Sequence, residues 1–429
     1  MSKKVAISRK EEGVIVTKTK IKYLVGVYAC ALCFMAMLTP VPIIASIVQA
    51  FPGEDIVLIQ MIVSMPSLIM AFAGMAVSSM LAHRFYKKHV ALVSFVVFML
   101  GGLAPLAFHG SVVELLIAAA VVGLGLGGLQ NSSDALLADY FIDKERSMVM
   151  GLFSTFVGLG GVLWTMLAAN LGAQNWVHAF MGYFLFIPLM IIAAICLPKG
   201  KIEPKRTVNV FANLSREVLL ISIVGFVFLL GFQVFNANVS MLVVERGLGG
   251  TIEAGWATTA TTVAGIVAGL LVGPLFAKFR NLAIPIMLSV AAIGMVVCLV
   301  APSIMVLCLG GFVIALAKEA YVPLSGNYAA ANSNPAGRAF NLAFGQAGIS
   351  LGMAFSPMVF GAAAGPLGGT IDVKFMLAIG LLVALAAFGF WKFRKLTPMQ
   401  LKEKELIEAA ARGEIADAAD GIQKEVVAC

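Results

Sequence analysis

The sequence predicts an all-α membrane protein with twelve transmembrane helices in two six-helix bundles. Three observations predict it. First, of 429 residues 60% are hydrophobic and 12% charged, against roughly 25% charged in a soluble domain. Mean hydropathy is +0.97. Second, the apolar residues gather in twelve runs, each near or above the roughly 20 residues that cross a bilayer as a helix. Third, the charges fall between the runs, and their sign alternates from loop to loop.

In order, the spans are 21–49, 56–82, 89–109, 112–140, 146–172, 176–197, 216–244, 252–278, 282–301, 304–330, 338–364 and 371–393. Several exceed the minimum, so tilt or extension past the bilayer is expected. The segment before span 1 carries Lys3, Lys4, Arg9, Lys10 and Lys18. No short apolar core with a small-residue cleavage site follows, so span 1 reads as a retained anchor.

The basic loops hold Arg84, Lys87 and Lys88; Lys144 and Arg146; Lys199, Lys201, Lys205 and Arg206; Lys278 and Arg280; and Arg338. All fall on one side if the spans alternate. The opposite loops hold Glu54, Asp55, Glu114, Glu245 and Glu253, with Arg246 and Lys374 as their cations. By the positive-inside rule both termini are cytoplasmic, in a multi-pass protein of the cell membrane. The expected organisation is a cytoplasmic tail (1–20), a first bundle (21–197), a cytoplasmic linker (198–215), a second bundle (216–393) and a cytoplasmic tail (394–429). Thr397, Pro398 and Gln400 form a helix-start signal in that last tail, and Gly413 a stop.

The halves echo one another. "ERSMVMGLFSTFVGLGG" (145–161) opens span 5 and "GRAFNLAFGQAGISLGM" (337–353) opens span 11, offset by about 193 residues. Parallel six-helix repeats are a transporter architecture, with the solute site between halves near the midplane.

Other classes find no support. The net charge of +8 follows membrane topology, so no nucleic-acid partner is expected. Cys30 and Cys33 lie inside an apolar run with no second pair. The four histidines are scattered, so no metal is expected. "GLGLGG" (123–128) sits within an apolar span rather than after a strand, and no phosphate-binding loop is present. No cofactor and no enzymatic activity are expected.

The loop after span 2 reads Ser79-Met80-Leu81-Ala82-His83-Arg84-Phe85-Tyr86-Lys87-Lys88. It resembles the major facilitator superfamily pattern Gly-x-Leu-x-Asp-Arg-x-Gly-Arg-Arg, with Leu81, Arg84, Lys87 and Lys88 in register. Ser79, His83 and Tyr86 depart from it. The likeness runs over about residues 21–395 and is similar to twelve-helix prokaryotic members of drug-efflux and sugar-efflux type. It implies the major facilitator fold, with alternating access about a central cavity lined mainly by helices 1, 4, 7 and 10. It also implies a cytoplasmic gate, here expected at His83, Arg84, Asp139, Arg146 and Arg338. Asp139 would pair with Arg84 or Arg338 in place of the missing loop aspartate. His83 would add pH sensitivity.

A charge at the bilayer centre costs roughly 2.5–3.5 kcal/mol on insertion scales. Lys318 and Glu319 stand about 18 Å from the cytoplasmic end of span 10. Adjacent helix positions do not face each other, so each is expected to need a further partner, water or a ligand. Asp134 is a candidate mate for Lys318, although the two are not level. In span 4, Gln130, Asn131 and Asp134 share one face; in span 7, Gln233, Asn236 and Ser240 do so, with Asn238 pointing elsewhere. Lys318, Glu319, Gln130, Asn131, Asp134, Gln233 and Asn236 are therefore the candidate substrate residues, with helix packing as the alternative role. Small residues in spans 5 and 11 read as close helix packing.

The resulting expectation is a monomeric secondary active transporter of a small organic solute. A lone deep lysine favours a carboxylate. A proton carried by Glu319 or Asp134 is the candidate coupling ion, and proton-coupled multidrug or metabolite efflux is the alternative.

Overall fold

The computed structural model describes residues 18–76, 84–141, 143–200, 202, 214–333 and 338–394. The loop motif through His83, most of the linker and the tail helix after Thr397 lie outside the described residues. Within them the protein is helical throughout, with no strand and twelve helical segments long and apolar enough to cross a membrane. Span 1 is Lys18–Cys33, a 3-10 turn Phe34–Leu38 and a short helix Ile44–Ala50. Spans 2 to 5 are Ile56–Ala76, Lys87–Ala107, Val112–Tyr140 and Asp143–Gly172. Span 6 is a 3-10 segment Trp176–Leu185 running into Phe186–Cys196. Spans 7 to 12 are Arg216–Glu245, Thr251–Phe279, Ala283–Leu299, Ile304–Ala331, Arg338–Ala364 and Ile371–Lys392.

Caps set several starts. Ser111 Oγ accepts from the Glu114 N–H at 3.3 Å, while Glu114 Oε2 accepts from the Gly110 N–H at 2.8 Å. Ser215 and Thr370 cap spans 7 and 12 in the same way. Each satisfies a backbone donor that a helix start leaves open.

Span 1 departs from the continuous helix expected over 21–49. Thr39-Pro40-Val41-Pro42 stops it, because proline lacks the N–H and excludes helical geometry from the residue before it. The freed acceptors are met from elsewhere. Trp164 Nε1–H donates to the Leu32 carbonyl at 2.6 Å, and the Tyr183 hydroxyl donates to that of Ala36 at 2.8 Å. Non-helical backbone at membrane depth is tolerated only with such partners. Trp164, Tyr183 and Phe186 are almost fully buried and pack with Phe95 and Phe98 as the aromatic core of the first bundle.

The small-residue rows pack as expected. A Cβ on Gly160 of span 5 would run into the Leu32 carbonyl of span 1. A Cβ on Gly352 of span 11 would run into the Phe226 carbonyl of span 7. Four residues on, Ser356 Oγ–H donates to the Leu230 carbonyl at 2.6 Å.

With alternating spans, one face carries the start of span 1 and the end of span 12; we call it the terminal face and its opposite the distal face. Among the described residues, six hydrogen bonds cross between the bundles in the distal half. Ser240 Oγ–H donates to the Pro42 carbonyl (2.8 Å) and accepts from the Ala45 N–H (3.3 Å). Gln60 Nε2 donates to Asn238 Oδ1 (2.7 Å), and Lys374 Nζ donates to Gln60 Oε1 (3.4 Å). Thr165 meets Thr259 at 2.9 Å, and Ser46 meets Thr251 at 3.4 Å. These bonds form the distal seal.

Candidate functional site

Lys318 and Glu319 lie at the middle of span 10. Contrary to the expectation from their adjacency, they pair with each other: Lys318 Nζ stands 2.6 Å from Glu319 Oε1. Successive Cβ atoms diverge on a helix, but the long Lys and Glu stems bend back far enough to meet. Glu319, rather than Asp134, is therefore the ion-pair partner of Lys318. The Lys318 ammonium also stands 5.6 Å from the centroid of the Phe232 ring in span 7, within cation–π range. The Glu319 stem lies beside Gly265 of span 8. The pair is not sealed: the two side chains are 17% and 32% exposed.

Gln233 and Asn236 sit side by side in span 7, both buried. Asn236 Nδ2 donates to Gln233 Oε1 at 3.5 Å, and the Asn236 amide oxygen is buried without a hydrogen-bond partner. Such an orphaned acceptor is rare and calls for a ligand, water or a second conformation. In span 4, Gln130, Asn131 and Asp134 are each half-buried. The Asn131 amide nitrogen lies close against Gly74 of span 2.

Near the terminal face, Asp139 pairs with Lys87 at 3.0 Å, a contact between spans 4 and 3 within the first bundle. Lys87 was not among the partners expected for it. Arg84 is exposed. Of Arg146 and Arg338 only the backbone is described, near the starts of spans 5 and 11.

Sequence reasoning missed Gln60, Asn238 and Lys374. Lys374 was expected in a loop, yet it lies in the first turn of span 12 and is 6% exposed. Asn238 points away from Gln233 and Asn236, as expected, and what it faces is Gln60 of the other bundle. Two signals pointed there: Gln60 interrupts the apolar run of span 2, and Lys374 sits on the side otherwise poor in cations. Among the described residues, no group of three or more His, Cys, Asp or Glu could hold a metal.

The sequence profile of the Major Facilitator Superfamily matches residues 21–220 and again 221–419. The chain belongs to that superfamily, whose members are secondary transporters working by alternating access. No curated protein sequence matches it significantly. Among solved structures it is similar to a bacterial homologue of the human lysosomal transporter Spinster in an inward-facing, occupied conformation. Identity there is 16% and the TM-score 0.71, covering 89% of this chain and 99% of that one. It is also similar to a mutant of the nucleoside transporter NupG (12%, TM-score 0.70, 87% and 100% covered). A third is the human organic anion transporter MFSD10 (16%, TM-score 0.62, 86% and 99% covered). At these identities the likeness is one of fold.

Proposed function

We propose that this protein moves a small organic solute across the cell membrane by alternating access, with both termini cytoplasmic. Lys318 and Glu319 form the centre of its solute site. One observation carries the reading: a 2.6 Å ion pair at mid-membrane keeps part of both side chains open. Ionisable groups at that depth are expensive and face a cavity or one another; these face one another, and their partial exposure supports a cavity beside them. A carboxylate-bearing solute competes with Glu319 for the Lys318 ammonium. A proton on Glu319 releases the lysine for that exchange, and this supplies a route for coupling. The unpartnered Asn236 amide oxygen gives the same cavity an acceptor for a solute N–H or O–H. Gln130, Asn131 and Asp134 line it from the first bundle. His83, Arg84, Asp139, Arg146 and Arg338 gate its cytoplasmic side.

The test begins with thermal shifts of the purified protein against carboxylates, sugars and cationic drugs, since a bound ligand raises the melting point by mass action. A carboxylate that shifts the wild type is expected to leave Lys318→Ala unshifted. In proteoliposomes, Lys318→Ala and Glu319→Gln are each expected to lower its counterflow by at least about tenfold, about 1.4 kcal/mol of barrier. Normal transport by both variants would remove the pair from the site. Shifts by cationic drugs alone would favour proton-coupled efflux.

A further inference from the structure

The distal seal contains one charge among neutral hydrogen bonds, that of Lys374, and its surroundings suit it poorly. An ammonium has three donors to satisfy. Among the described residues it has one acceptor, the Gln60 amide oxygen, at 3.4 Å, the long limit of a hydrogen bond. Asp372, two residues earlier, is committed to Arg246 at 2.5 Å. Asp55 attracts Lys374 through space, yet it is exposed, accepts from the Val57 N–H at 2.9 Å and forms no ion pair with the lysine among the described residues. A buried charge without an opposite partner is costly.

Lys374 belongs to the second bundle and Gln60 to the first. Separation of the bundles at the distal face takes the lysine from its one acceptor and returns it to water. The other crossing bonds at Ser240, Asn238 and Thr259 are neutral and favour closure. We propose that Lys374 is a release element of the distal seal: its poorly solvated charge opposes closure and keeps the seal poised to open. The inference rests on alternating access and not on the identity of the solute.

The experiment places a thiol in the seal with Ser240→Cys, a position 1% exposed here. Its rate of maleimide labelling is measured in the purified full-length protein, with the chain lacking this substitution as the blank. Adding Lys374→Met is expected to slow labelling by at least about fivefold, because the open population falls. Lys374→Arg, which keeps the charge, is expected to label within about twofold of the parent. Gln60→Leu removes both the lysine's acceptor and the neutral bond to Asn238, and is expected to speed labelling. Faster labelling in Lys374→Met would make the lysine a latch that holds the seal shut, and an unchanged rate in Lys374→Met would give it no role; either overturns the proposal. If Lys374→Met is not recovered folded, Lys374→Gln, which removes the charge and keeps a polar side chain, decides: unchanged or faster labelling overturns the proposal.

Discussion

Spans 1 and 7 occupy matching places in the two bundles and solve the same backbone problem differently. Each is approached by a glycine of the helix four spans on, Gly160 at Leu32 and Gly352 at Phe226. Seven residues beyond those contacts they diverge. Span 1 reaches Thr39 and then the Pro40 and Pro42 break; span 7 reaches Gln233 and continues unbroken to Glu245. A broken helix exposes carbonyls that need outside donors, and span 1 takes them from Trp164, Tyr183 and, across the seal, Ser240. An unbroken helix keeps its carbonyls bonded and leaves its side-chain amides for other work. Asn238 bonds across the seal, and Asn236 keeps an acceptor unused. Spans 4 and 10 divide in the same manner. Span 10 carries the ion pair where the offset of about 193 places Gly125 and Leu126 in span 4. The halves share a packing scaffold; chemistry is built on one and backbone geometry on the other.

The sharpest way to break this comparison is to fill both glycine contacts. Gly160→Ala and Gly352→Ala each push a methyl into backbone and are expected to cost about 1–3 kcal/mol, read as a drop in melting temperature of the solubilised protein. Similar drops support equivalent scaffolds, and a large drop at one site alone would contradict them. A second pair of substitutions separates the two helices. Trp164→Phe leaves the Leu32 carbonyl of the interrupted helix short of a donor and is expected to cost about 1–3 kcal/mol. Ser356→Ala removes the corresponding bond to an intact helix, expected at about 0.5–1.5 kcal/mol. If the serine proves the costlier loss, the account of the break fails. The smallest effect lies at the seal. Thr165→Val removes one neutral crossing bond and is expected to weaken closure by about 0.5–1 kcal/mol, seen as severalfold faster labelling of Ser240→Cys.

Much of the fold was legible because membrane crossing is a local matter. A run of twenty apolar residues needs no knowledge of its neighbours to be a span, and the caps at Ser111, Ser215 and Thr370 act within one turn. The interruption in span 1 was also written in two prolines two residues apart, Pro40 and Pro42, but the apolar run around them dominated the reading. The candidate site was legible in part. Lys318 and Glu319 stand out by depth alone, whereas their mutual pairing depended on how two long stems turn, which periodicity does not encode.

The sequence by itself determined that this is a twelve-span membrane protein built from two related halves, because hydropathy and small-residue spacing act position by position. Tertiary structure alone decided which polar groups meet. Gln60 and Lys374 are 314 residues apart in the chain, and nothing near either one encodes the other. Their encounter, like that of Ser240 with the broken turn of span 1, exists only because the two bundles close on each other at the distal face.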